Sequence, residues 1–123
     1  MEKPHKKFDV WKLSMDLATQ AYQETRAFPK DEGYGLTAQI RRAAVSIPSN
    51  IAEGAGRQTK REFANYLHIA QGSLSELDTL LELAVTVGYL PRDKWSTLDQ
   101  RMERVDKMLS GLIRHQKRES RKE

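Results

Sequence analysis

The residues that could do chemistry are concentrated in one stretch, Gln39–Arg57, QIRRAAVSIPSNIAEGAGR. At helical spacing Gln39, Arg42, Ser46, Ser49, Asn50, Glu53 and Arg57 stack into a narrow polar band, with opposite charges at Glu53 and Arg57. Ser46 or Ser49 as a nucleophile would need a base nearby, and none is identifiable. Glu53 reads as the partner of Arg57 or of a backbone amide rather than as a general base. His5, His68 and His115 fall in an N-terminal arm, a helix and a tail, with no His or Cys at ligand spacing beside them. The Glu-x-x-His pairs of a di-iron bundle do not occur. Gly54-Ala55-Gly56 belongs to neither GxxxxGK[ST] nor GxGxxG and reads as a helix terminus. The reading is of a protein that is not an enzyme and carries no cofactor or metal. The band, with Ser46, Pro48, Ser49, Asn50, Glu53 and Gly54 at its centre, is assigned a structural role. It is either an interface between protomers or an internal hydrogen-bonded network.

Binding chemistry is a different matter. Arg41, Arg42, Arg57, Lys60 and Arg61 flank or follow the central stretch, and Arg114, Lys117, Arg118, Arg121 and Lys122 form the C-terminal tail. Such clusters are the electrostatic footprint of phosphate binding. They hold little aromatic residue for base stacking, so RNA or DNA would be met through phosphates and not read by sequence. A basic surface that serves only solubility is the competing explanation. Net charge adds an asymmetry. Residues 62–91 carry Glu62, Glu76, Asp78 and Glu82 without a Lys or Arg, a net of −4, so the rest of the +4 chain carries +8. An acidic helix can meet a basic face of its own chain or of a neighbouring copy.

The elements that must position these groups are helices. Leu36, Ile40, Ala43, Ile47 and Ile51 recur at spacings of three and four and give the central stretch a core face. Pro48 removes one backbone hydrogen bond and clashes with the Ala44 carbonyl, so the helix either kinks or ends there. The apolar phase continues at Ile51, which favours a kink, with the Ser46 and Ser49 hydroxyls available to the freed backbone. Gly54 and Gly56 then weaken the helix and close it near Arg57. Before it, residues 1–8 form a loose basic arm, and Asp9 caps a first helix from about Val10 to Ala27, with Trp11, Leu13, Leu17, Ala18, Ala21 and Tyr22 on its apolar side. Phe28-Pro29 stops that helix, and KDEGYG is a loop.

Thr59 and Glu62 fit a capping box, so a third helix starts near Lys60. Its seam of Phe63, Leu67, Ala70, Leu74, Leu77, Leu81 and Ala84 runs unbroken until Gly88 ends it. Gly72 and Ser73, mid-helix, suggest the close approach of another backbone. Pro91 suits the first turn of a fourth helix with Trp95, Leu98, Met102, Val105, Leu109 and Leu112 as its seam. The fold class is all-α: an antiparallel up-and-down four-helix bundle over residues 9–113, with an arm at 1–8 and a basic tail at 114–123. At 123 residues this is one domain. No apolar run approaches the roughly 20 residues of a membrane span. The opening MEKPHKKFDV lacks the apolar centre of a signal peptide. The absence of cysteine fits a reducing cytoplasm.

Phe28-Pro29 through Glu32, Tyr34-Gly35-Leu36, QIRRAAVSIPSNIAEGAGR, then Glu62-Phe63, Leu67, Ile69-Ala70, Gly72-Ser73-Leu74 and Glu76-Leu77 together resemble the four-helix-bundle proteins encoded in 23S rRNA intervening sequences. The resemblance runs from Phe8 to about Ile113. It implies a ring-shaped homo-oligomer, a pentamer in this family, of otherwise unknown role. The chain is similar also to the accessory variability protein of diversity-generating retroelements, a basic pentameric bundle that binds a reverse transcriptase and nucleic acid. The resemblance thus implies two partners, nucleic acid contacted directly or a protein such as a reverse transcriptase docked by an adaptor.

Overall fold

Leu36, Ile40, Ala43, Ile47 and Ile51 are all buried, and the periodicity that put them on one face is the periodicity of the helix they form. The computed structural model describes residues 3–123. Its elements are a 3-10 turn over Pro4–Lys7, α1 over Asp9–Thr25, a second 3-10 turn over Lys30–Glu32, α2 over Leu36–Ala55, α3 over Lys60–Thr86 and α4 over Arg92–Ser120. Consecutive helices pack on one another and α1 returns to pack on α4, which makes a four-helix bundle. The packing of α2 on α3 is the most extensive. Among the described residues there is no strand.

The α3 seam is buried at all seven positions from Phe63 to Ala84. Thr59 caps α3 by accepting from the Glu62 amide at 3.1 Å. The reciprocal half of a capping box is absent: Glu62 accepts from the Thr59 hydroxyl at 3.0 Å instead of reaching back to its amide. At the other end Gly88 has φ 85°. The Gly88 amide donates to Val85 O at 3.0 Å and the Tyr89 amide to Ala84 O at 2.9 Å, the paired bonds of a left-handed helix terminus. Tyr89 and Leu90 then lead into α4, whose N-cap is Pro91.

Several local expectations change. Asp9 does not cap α1; the cap residue is Phe8, and Asp9 lies in the first turn, where its charge suits the helix dipole. At Pro48 the expectation that the helix continues holds, since α2 runs on to Ala55. Over Lys3–Phe8 the arm is a 3-10 turn laid on α1 and α2, with the Phe8 ring edge-on to Phe63 at 5.4 Å and His5 edge-on to Trp11 at 4.9 Å. Met1 and Glu2 lie outside the described residues. The tail from Arg114 continues α4 to Ser120, and its Gln116 is buried in phase with Leu109.

The close approach expected at Gly72 lies at Gly54 instead. Gly72 has nothing within 4 Å of where a Cβ would stand. Gly54 is buried, and a Cβ there would lie 2.7 Å from Tyr66 Cβ and 2.9 Å from Phe63 Cδ1. The close approach of a neighbouring helix is therefore at Gly54, where α2 meets the first turns of α3, and the helix itself terminates one residue later than this contact.

Candidate nucleic-acid interface

The polar band on α2 divides between two neighbours. Ser46 Oγ lies 2.7 Å from Ser73 Oγ on α3, and Asn50 Nδ2 donates to Ser46 O at 2.8 Å and to Ser46 Oγ at 3.0 Å. The Ser46 hydroxyl thus ties α2 to α3, and these partners hold it without activating it. About two turns on, Arg57 Nη2 donates to Glu53 Oε1 at 2.5 Å and to the Tyr66 hydroxyl at 2.6 Å, with the guanidinium 4.9 Å from the Tyr66 ring centre. The field of the Tyr66 phenol holds Arg57 above its ordinary pKa, against the opposing effect of burial and with Glu53 adding to the rise. Arg42 and Ser49 are exposed, and Pro48 and Ser49 line a furrow on the α1 side.

The basic residues do not form one surface. Arg41 donates through Nε to Thr25 Oγ1 at 3.0 Å and lies 4.6 Å over the Tyr22 ring, which makes it a fastener between α2 and α1. Arg42 lines a cleft beside it with Tyr22 and Val45. Lys60 and Arg61 come together with the last turns of α4. A cleft of about 510 Å³ is lined by Thr59, Arg61 and Asn65 from the start of α3 and by Lys117, Arg121 and Glu123 from the other side. Both oxygens of the Glu123 carboxylate accept from the Lys60 amide, at 3.0 and 3.1 Å, so the free amides that begin α3 already hold an anion. Arg114 and Arg118 are exposed on the same last turns, and Lys122 pairs with Glu119 at 3.3 Å.

The segments that meet at this end are residues 3–9, 53–62 and 114–123. They hold eleven Lys and Arg against five Asp and Glu, a net of +6, which leaves −2 for the remainder of the +4 chain. Part of that charge has a local reason, since cations in the last turn of α4 complement its dipole. Whatever its origin, the summed field is positive at one end of the bundle and slightly negative elsewhere. Periodicity along single helices could not reveal that Arg61 and Lys117 line one cleft, nor that Tyr66 would take up Arg57. Among the described residues no group of three or more His, Asp or Glu is clustered to hold a metal ion, and no helix is long and apolar enough to cross a membrane.

The architecture has solved relatives. A crystal structure of a protein of unknown function from the S23 ribosomal protein family of Bacteroides thetaiotaomicron superposes with a TM-score of 0.76 at 25% identity, covering 85% of this chain and 97% of that one. No curated protein matches the chain. Residues 6–111 match the 23S rRNA-intervening sequence protein family. That span takes in the 3-10 turn at its start, α1, α2 with its polar band, α3 and most of α4, and on it the protein belongs to the 23S rRNA-intervening sequence protein family.

Proposed function

We propose that the protein acts without catalysis, as a homo-oligomer whose basic bundle end binds structured RNA or DNA through its phosphates. The observation that carries this reading is the convergence of Arg61 from the start of α3 with Lys117 and Arg121 from the end of α4 on one cleft. A single such cleft supports few phosphate contacts, and repeated copies in an assembly multiply them. Arg41 and Arg57 drop out of the binding set, because each is already engaged by partners in its own chain. Binding of this kind falls with salt by roughly one power for every phosphate neutralised and depends little on sequence.

The test is affinity for a structured RNA across a salt series. Replacing Lys117, Arg118, Arg121 and Lys122 with Ala should weaken binding at low salt and flatten the salt slope, while Arg41→Ala leaves the slope unchanged. An assembly indifferent to RNA at every salt concentration would overturn this reading in favour of a protein adaptor.

A further inference from the structure

α2 is flanked by an unfilled furrow. On its α1 side, Trp11, Met15, Tyr22, Val45, Pro48 and Ala52 line a groove of about 560 Å³. Through Tyr22 and Val45 it continues into a second cleft of about 580 Å³ beside Arg41 and Arg42. Met15, Tyr22 and Val45 remain 42%, 40% and 40% exposed, high for an apolar cluster on adjoining helices. Neither cleft is lined by an Asp or Glu, and Arg26, Arg41 and Arg42 edge them. From Trp11 to Arg26 the furrow follows α1 for about 22 Å.

The same chain carries a surface of the opposite kind. On α3, Ile69, Glu76, Leu80, Leu83 and Val87 recur at spacings of seven, four, three and four, so they share one narrow band turned away from the buried seam. Ile69, Leu83 and Val87 are 51%, 48% and 49% exposed. The band is about 27 Å long. It lies within residues 62–91, which have four acids and no Lys or Arg. Both faces are apolar, similar in length and opposite in charge, and α2 stands between them, so a chain cannot seat its own stripe in its own furrow.

We infer that the α1–α2 furrow receives the α3 stripe of a second copy, in a head-to-tail contact that leaves each copy with one free furrow and one free stripe. Such a heterologous interface propagates into a closed ring or an open filament and never terminates as a symmetric pair. The apolar residues supply the contact, and Arg26 and Arg42 against Glu76 favour this pairing over furrow on furrow or stripe on stripe. This rests on the assembled state proposed above and goes beyond it by naming both faces. Its failure is separable, because a chain held monomeric should still bind RNA at its basic end, only more weakly than the assembly, whereas failure of the RNA reading would leave an intact assembly with no RNA bound.

The experiment is light scattering on the purified full chain and on two exposed-site variants, Val45→Glu in the furrow and Leu83→Lys on the stripe, with circular dichroism to check that each keeps its helix content. The wild type should form an assembly of several 14.1 kDa chains, and each variant alone should be a monomer. Mixed in equal amounts, the variants should give a species of twice the chain mass and nothing larger, since the intact stripe of one fits the intact furrow of the other. A monomeric wild type, a variant that assembles as the wild type does, or a mixture that stays monomeric would each overturn the proposal.

Discussion

The two sides of α2 solve the same packing problem in different ways. Towards α3, Gly54 removes the Cβ that would otherwise collide with Phe63 and Tyr66, and the helices close over a line of specific contacts: Ser46 with Ser73, then Arg57 with Tyr66. Towards α1, the facing positions are Val45, Pro48 and Ala52 opposite Met15 and Tyr22, and a furrow persists along the pair. Arg41 bridges α2 to α1 at Thr25, near the end of that furrow, by a hydrogen bond from a long, half-buried side chain. One absent methyl group and a few short polar contacts thus separate a sealed interface from an open one. The sealed side sets the fold, and the open side leaves apolar surface uncovered.

The largest test of that contrast is at the glycines. Gly54→Ala should destabilise the protein by about 1–3 kcal/mol, because its methyl overpacks against two side chains on α3. Gly72→Ala, exposed in a helix interior with free space around it, should stabilise by about 0.8–1 kcal/mol. Urea denaturation of both variants reads the two signs, and a neutral Gly54→Ala would break the account of the sealed side. Next comes Ser46→Ala, which strands the Ser73 hydroxyl while the Asn50 amide keeps its bond to the Ser46 carbonyl, and should cost about 0.5–1.5 kcal/mol. Adding Ser73→Ala should cost less than the two single changes combined, since no hydroxyl is then left facing an apolar methyl. Additive losses would mean that the two serines do not act as a pair.

How much of this could be read in the sequence follows from where each signal resides. The seams of α2 and α3 are properties of single helices, and every position assigned to them between Leu36 and Ala84 is buried. Contacts between helices were less legible. Gly54 lies seven residues after Ile47 and so continues the buried phase, which was a usable sign of close approach. Gly72 is out of phase with Ala70 and Leu74 and faces solvent. The cations were the hardest to sort, because Arg41, Arg57 and Arg61 look alike in a sequence. Only the fold shows that Thr25 holds the first, that Tyr66 and Glu53 hold the second, and that the third faces Lys117 across a cleft. The basic end was visible as two clusters and became one site only through the return of α4 to the start of α3.

The smallest expected effect concerns the far end of the sealed side, where the chain enters α2 and leaves α3. There the Tyr89 hydroxyl donates to Glu32 Oε2 at 3.1 Å, and the Tyr89 ring packs on Phe28 at 5.7 Å. The hydrogen bond to Glu32, then burial, then the nearby carboxylate charges hold the phenol above its ordinary pKa. The group keeps its proton more firmly folded than unfolded. Its contribution is therefore complete below the ordinary tyrosine value of about 10 and disappears as pH rises through the higher folded value, where a phenolate would face Glu32. Tyr89→Phe should lower stability slightly at neutral pH and make the alkaline decline shallower. Glu32→Gln should keep the contact but return the Tyr89 titration towards its ordinary position in an ultraviolet absorbance titration. An unchanged Tyr89 titration in Glu32→Gln would show that the carboxylate does not govern this phenol, and that the sealed side ends before it reaches the loop.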